Sequence, residues 1–138
     1  MLPPFEEPEE TPALATEITG AGTGGSSVML DKDTDTSTLE FRWIDGGLVK
    51  ITKYGIESED HVTYCYNIRE GDPLSAQVKA VGSSDLRRGD DLDAHVDSVC
   101  LMRSDRTNFY LTSEIKVLDH GREFFSRTWE KTIPRDLV

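Results

Sequence analysis

Serine and histidine are both present, so acyl transfer by an activated serine is the first chemistry to weigh. The elbow that exposes such a serine is G-x-S-x-G on a strand–turn–helix. Gly24-Gly25-Ser26-Ser27-Val28 fails at its last position, and Gly82-Ser83-Ser84-Asp85 fails as well. No triad is readable either, although triads are defined by geometry rather than order. No catalytic residue is therefore expected in this chain. Cation binding comes second. Asp31, Asp33 and Asp35 copy the opening of a calcium loop, but Thr36 stands where the sharp turn needs glycine, and Arg42 where a bidentate glutamate is needed. That stretch reads as a hairpin turn. Asp91, Asp93, His95 and Asp97 alternate along one strand face, at about 6.6 Å per pair of residues. Asp93, His95 and Asp97 are the candidate ligands if a neighbouring strand adds another donor. The alternate residues Leu92, Ala94, Val96, Cys100 and Met102 are mostly apolar, so a solvated face is the simpler reading and no metal is expected. Third, Arg127 and Trp129 share a face with Phe125 and Ile133. An inward Arg there could grip an anionic ligand, whereas on an edge strand it blocks aggregation or stacks on an aromatic ring.

Gly20, Gly22 and Gly25 match the dinucleotide fingerprint G-x-G-x-x-G. That fingerprint needs a helix after it, to face the pyrophosphate. Ser27-Val28-Met29-Leu30-Asp31 follows instead, with apolar residues in alternation, so no cofactor is expected. The cysteines, Cys65 and Cys100, belong to no metal-binding pair and read as small apolar residues in a reducing cytoplasm.

These residues must be positioned by a chain of 138 residues with formal charge −11, a length that suits one domain. Such acidity repels phosphate backbones and anionic membrane surfaces, so neither nucleic acid nor membrane is an expected partner. There is no apolar run of transmembrane length, and the first residues lack the basic and apolar regions of a secretory signal. Residues 1–26 read as an extended Pro/Glu/Gly-rich arm and linker, and 27–138 as the folded part.

In that folded part period-two alternation recurs, with almost no helical competitor. Leu39, Phe41 and Trp43 alternate with polar residues, and Gly46-Gly47 reads as a tight turn returning through Val49 and Ile51. Val62, Tyr64, Tyr66 and Ile68 form the clearest strip, and that strand is expected to be central, with both neighbours paired. Further strands follow around Ala76–Ala80, Leu92–Met102, Phe109–Val117 and Phe125–Ile133. The expectation is all-β: an antiparallel sheet of seven or eight strands, in a sandwich or a curved, partly closed barrel.

Three stretches carry a family likeness: Ile68-Arg69-Glu70-Gly71-Asp72-Pro73-Leu74-Ser75-Ala76, Arg87-Arg88-Gly89-Asp90, and the ending Phe125-Ser126-Arg127-Thr128-Trp129-Glu130-Lys131-Thr132-Ile133-Pro134-Arg135-Asp136-Leu137-Val138. Together they resemble the C-terminal β-rich region of CocE/NonD-type hydrolases, the cocaine-esterase and Xaa-Pro dipeptidyl-peptidase superfamily. Leu2-Pro3-Pro4-Phe5 and Pro12-Ala13-Leu14 are similar to the connector entering that region. The resemblance implies an accessory β domain, packed on a hydrolase catalytic domain or on itself. The family's Ser-Asp-His triad belongs to another domain, so no catalytic residue carries over. An independent ligand-binding β-barrel is the alternative.

Either reading makes the isolated chain catalytically silent. A fluorophosphonate probe should label no serine, and aryl esters should turn over no faster than with heat-denatured protein. Stoichiometric labelling would overturn the non-catalytic reading.

Overall fold

The computed structural model describes residues 10–19, 24–44 and 47–136. Nine strands fall within them: β1 (Thr16–Thr19), β2 (Gly25–Asp31), β3 (Thr36–Ile44), β4 (Leu48–Ile51), β5 (Ile56–Arg69), β6 (Asp72–Arg88), β7 (Leu92–Ser104), β8 (Asn108–Asp119) and β9 (Arg122–Pro134). All pairings are antiparallel and build one sheet that is not closed into a barrel. The all-β, antiparallel expectation holds; of the architectures considered, the two-layer sandwich does not, because every strand belongs to the same layer. The strand count exceeds seven or eight partly because Thr16–Thr19, inside the segment read as an arm, pairs with β4. Its single apolar residue, Ile18, gave no alternation to detect. Of the remainder of that segment, residues 1–9 and 20–23 lie outside the described residues.

From β5 onward each strand pairs with the next, so the second half of the chain is a meander. Its tight turns rest on positive φ angles. Asp119 and Arg122 are register partners, and between them His120 (φ 48°) and Gly121 (φ 73°) form the two-residue hairpin whose twist suits antiparallel strands.

The Gly46-Gly47 reading is corrected. β3 does not turn back through it: β3 pairs with His61–Arg69 of β5, and β4 with Ile56–Ser58 of the same strand. The two segments therefore run the same way along β5, end to end. Between the pairs Ile44↔His61 and Val49↔Ser58, four residues oppose two, so two residues are accommodated without changing which side chains face which way. Glycine here supplies the offset, with Gly47 at φ 85°; Gly46 lies outside the described residues. The true turn is Thr52–Gly55, where Gly55 has φ 63°.

Register carries the alternation across the sheet. Val28, Leu39, Tyr66, Val78, Met102 and Leu111 are successive partners from β2 to β8, and the row ends at Lys131 on β9. The neighbouring register positions are Ser26, Phe41, Tyr64, Ala80, Cys100, Ser113 and Trp129. On the other side run Glu40, Cys65, Lys79, Leu101, Thr112 and Glu130. One face is thus mainly apolar and the other mainly polar, as the alternation demands.

Among the described residues no element covers the apolar face, and no apolar side chain is fully buried. The central position of Val62–Ile68 is as expected, with β3 on one side and β6 on the other. Tyr66 and Ile68 nevertheless stay 45% and 43% exposed. Ile68→Ala should therefore cost only about 1 kcal/mol in the isolated chain, the value of partial burial. Thr63→Ala, on the polar face, should cost less than about 0.5 kcal/mol. Urea melts of dilute protein decide this. A loss of about 2–5 kcal/mol at Ile68, typical of a filled core, would mean the face is covered in solution.

Candidate functional site

The apolar face holds a hollow of about 530 Å³, lined by Val28, Leu39, Tyr66, Ile68, Val78, Met102 and Phe109, with Arg103 and Arg135 among the polar lining groups. Val28 on β2 and Phe109 on β8 are five strand spacings apart, about 24 Å on a flat sheet. Both line the same hollow, so the sheet is concave on its apolar side.

One end is shaped by the β7–β8 turn. The Asp105 carboxylate accepts from Thr107 N–H at 2.7 Å, Asn108 N–H at 2.8 Å and Tyr110 O–H at 2.7 Å. These donors, the Tyr110 hydroxyl foremost, hold its pKa well below the usual carboxylate range. The same turn captures the chain after β9. Arg135 N–H donates to Thr107 C=O at 2.8 Å, and Arg135 Nη1 donates to Asp105 C=O at 3.1 Å. The Arg135 guanidinium then lies 5.4 Å from the centroid of the Phe109 ring, and its Nε is buried without a partner among the described residues. Arg103 lies 4.8 Å from the Tyr110 ring centroid. An apolar concavity with the Arg135 guanidinium in its wall suits an apolar body with an anionic end. Residue spacing alone does not reveal this site, because six strands contribute to it. The run Ser104-Asp105-Arg106-Thr107-Asn108 does carry a signal: an Asp two residues before a Thr favours a side-chain-capped turn.

Asp93, His95 and Asp97 share the polar face, as their alternation predicts. His95 Nδ1 lies 3.1 Å from Asp85 Oδ1, and Nε2 lies 3.2 Å from Asp97 Oδ1. Arg87 lies 3.0 Å from Asp85 and 3.4 Å from Asp93. Asp85, chiefly, and Asp97 raise the His95 pKa. When protonated, the imidazole donates from both nitrogens and keeps no lone pair for a metal. Among the described residues no three His, Cys, Asp or Glu side chains converge as a cation site. The cluster is a charge network that the cross-strand partners Asp85↔His95 and Arg87↔Asp93 assemble.

Arg127 and Trp129 lie on β9, with the guanidinium 5.0 Å from the indole centroid. Of the two roles weighed for Arg127, this geometry is the stacked one, and neither residue lines the hollow. Cys65 and Cys100 are both free thiols; register places them on opposite faces, with Cys65 opposite Lys79 and Cys100 opposite Ala80.

A raised pKa in the folded state means that His95 stabilises most fully below its ordinary value of 6.5, and that this contribution fades as pH rises through the raised value. The thermal midpoint of His95→Gln should therefore fall less than that of the parent between about pH 6 and pH 8.5. His120, raised by Asp119, titrates with the same sign, so the slope should shrink rather than vanish. Equal slopes in calorimetry would remove His95 from the network.

Compared with known proteins, the chain matches no protein family, no curated protein and no solved structure.

Proposed function

We propose that this chain is a non-catalytic accessory β module whose work is packing: its apolar sheet face closes onto another folded surface. The observation that carries this reading is the uncovered apolar face itself. The chain exposes 10847 Å², against roughly 7,200 Å² for a compact monomer of its mass. Val28, Leu39, Tyr66, Ile68, Met102 and Trp129 stay exposed together on that face, and a contiguous exposed apolar face marks an interface. The likeness of its three motifs to the CocE/NonD tail names the partner class, a serine hydrolase catalytic domain. The two free thiols are in keeping with a cytoplasmic setting. No helix among the described residues is long and apolar enough to cross a membrane.

A second reading rests on the hollow, which would take an amphiphilic anion with its apolar body against Tyr66, Val78 and Met102 and its charge toward Arg135. Thiol labelling separates the two. Cys100 lies on the apolar face and Cys65 on the polar one, so adding a CocE/NonD-type catalytic domain should slow labelling of Cys100 at least about tenfold and leave Cys65 unchanged. An unchanged Cys100 rate would overturn the packing reading. Saturable binding of a fluorescent long-chain carboxylate, weakened by Arg135→Ala, would favour the ligand reading instead.

A further inference from the structure

β9 pairs with β8 on one side, and among the described residues no strand lies along its other edge. The bond from Arg135 N–H to Thr107 C=O fixes which of its backbone groups are engaged. Pairing alternates along an antiparallel ladder, so Phe125, Arg127, Trp129, Lys131 and Ile133 direct their amides and carbonyls to β8. Ser126, Thr128, Glu130 and Thr132 direct theirs outward. Pro134, which has no N–H, falls at an outward position and costs the ladder nothing. The edge is thirteen residues long and exposed throughout. β1, by contrast, has four residues and β2 seven, and short edges are the blunted ones. The register irregularity of β9 lies near its start, beside Val117/Leu118, and leaves Ser126–Thr132 regular.

We propose that β9 pairs antiparallel with β9 of a second copy, about a two-fold axis through Thr128. The side-chain pattern selects both the occupant and the register. With the axis at Thr128, Arg127 faces the second copy's Trp129, extending the cation–π contact it already makes within its own strand. Phe125 then faces Lys131, and Ser126 faces Glu130. An axis at Arg127 sets guanidinium against guanidinium. An axis at Trp129 sets Arg127 against Lys131, and one at Glu130 sets carboxylate against carboxylate. Ser126, Thr128 and Glu130 of each copy exchange their outward N–H and C=O groups with the other. The two-fold keeps both apolar faces on the same side, so this pairing uses the edge and leaves the packing face free.

The test is the oligomeric state of the full chain by sedimentation equilibrium, with crosslinking to fix the register. Thr128→Cys in a Cys65→Ser, Cys100→Ser background should form an intermolecular disulfide, because hydrogen-bonded partners have Cα atoms about 5.5 Å apart. Thr132→Cys should not, since its partner is Phe124. Thr128→Pro removes one outward N–H from each copy, two cross-strand hydrogen bonds per dimer, and leaves the β8 ladder intact. It should weaken the dimer about tenfold, with the circular dichroism of the dilute chain unchanged. A monomer up to roughly millimolar concentration overturns the proposal, as does equal crosslinking at both cysteines. So does a dimer indifferent to Thr128→Pro but abolished by Val96→Asp, because such copies would meet through their apolar faces. Protection of Cys100 by a hydrolase domain is read separately, so either idea can fail alone.

Discussion

A single layer of β-structure has no second layer to bury its apolar face against, and only curvature or a partner can shelter that face. Every large feature here follows from that constraint. The alternation that places Leu39, Tyr66, Val78 and Met102 in one row also fixes which face the strands bend around. The bend gathers β2 and β8 around a common hollow but, among the described residues, leaves free edges at β1, β2 and β9. Side chains that would be the core of a sandwich remain partly wet.

The two faces manage charge differently. On the polar face, Arg87 and His95 are interleaved with the carboxylates of Asp85, Asp93 and Asp97 across β6 and β7, so each of those acids already has a partner. On the apolar side the guanidinium groups lie over aromatic rings: Arg135 over Phe109, and Arg127 over Trp129. There the cation keeps its charge while its flat surface joins the apolar layer, which an ammonium does less well. Asp105 is the hinge between these arrangements, because one carboxylate orders the β7–β8 turn while the backbone of that turn holds Arg135.

The strands were legible where period two ran long enough to register. Val62–Ile68, Leu92–Met102 and Phe109–Val117 announce themselves because each alternates over at least seven positions. Thr16–Thr19 was not legible, since four residues with one apolar side chain carry no period. Gly46-Gly47 misled for a different reason: a glycine pair permits a hairpin turn, but it equally permits two strands to be laid end to end along a third. Sequence could not separate these, because the choice is made by pairing with β5. Asp93, His95 and Asp97 were correctly placed on one face, but Asp85 and Arg87, which decide their chemistry, come from the neighbouring strand. The hollow was invisible for the same reason, being a property of curvature rather than of any segment.

The meander from β5 to β9 has a kinetic side. Each of its four pairings joins strands adjacent in the chain across a short connection, so little loop entropy stands in the way of zipping. β1 must wait for β4, with Thr16 meeting Ile51, and β3 must find β5 past the whole β4 segment. The carboxy-terminal meander is thus the natural nucleus, and the amino-terminal strands condense onto an existing template. The same asymmetry governs opening: fluctuations should shed β1 and β2 while the β5–β8 ladder stays protected. A curl that is completed only by its last-arriving strands leaves the hollow accessible for part of the time, even when most of the sheet is intact.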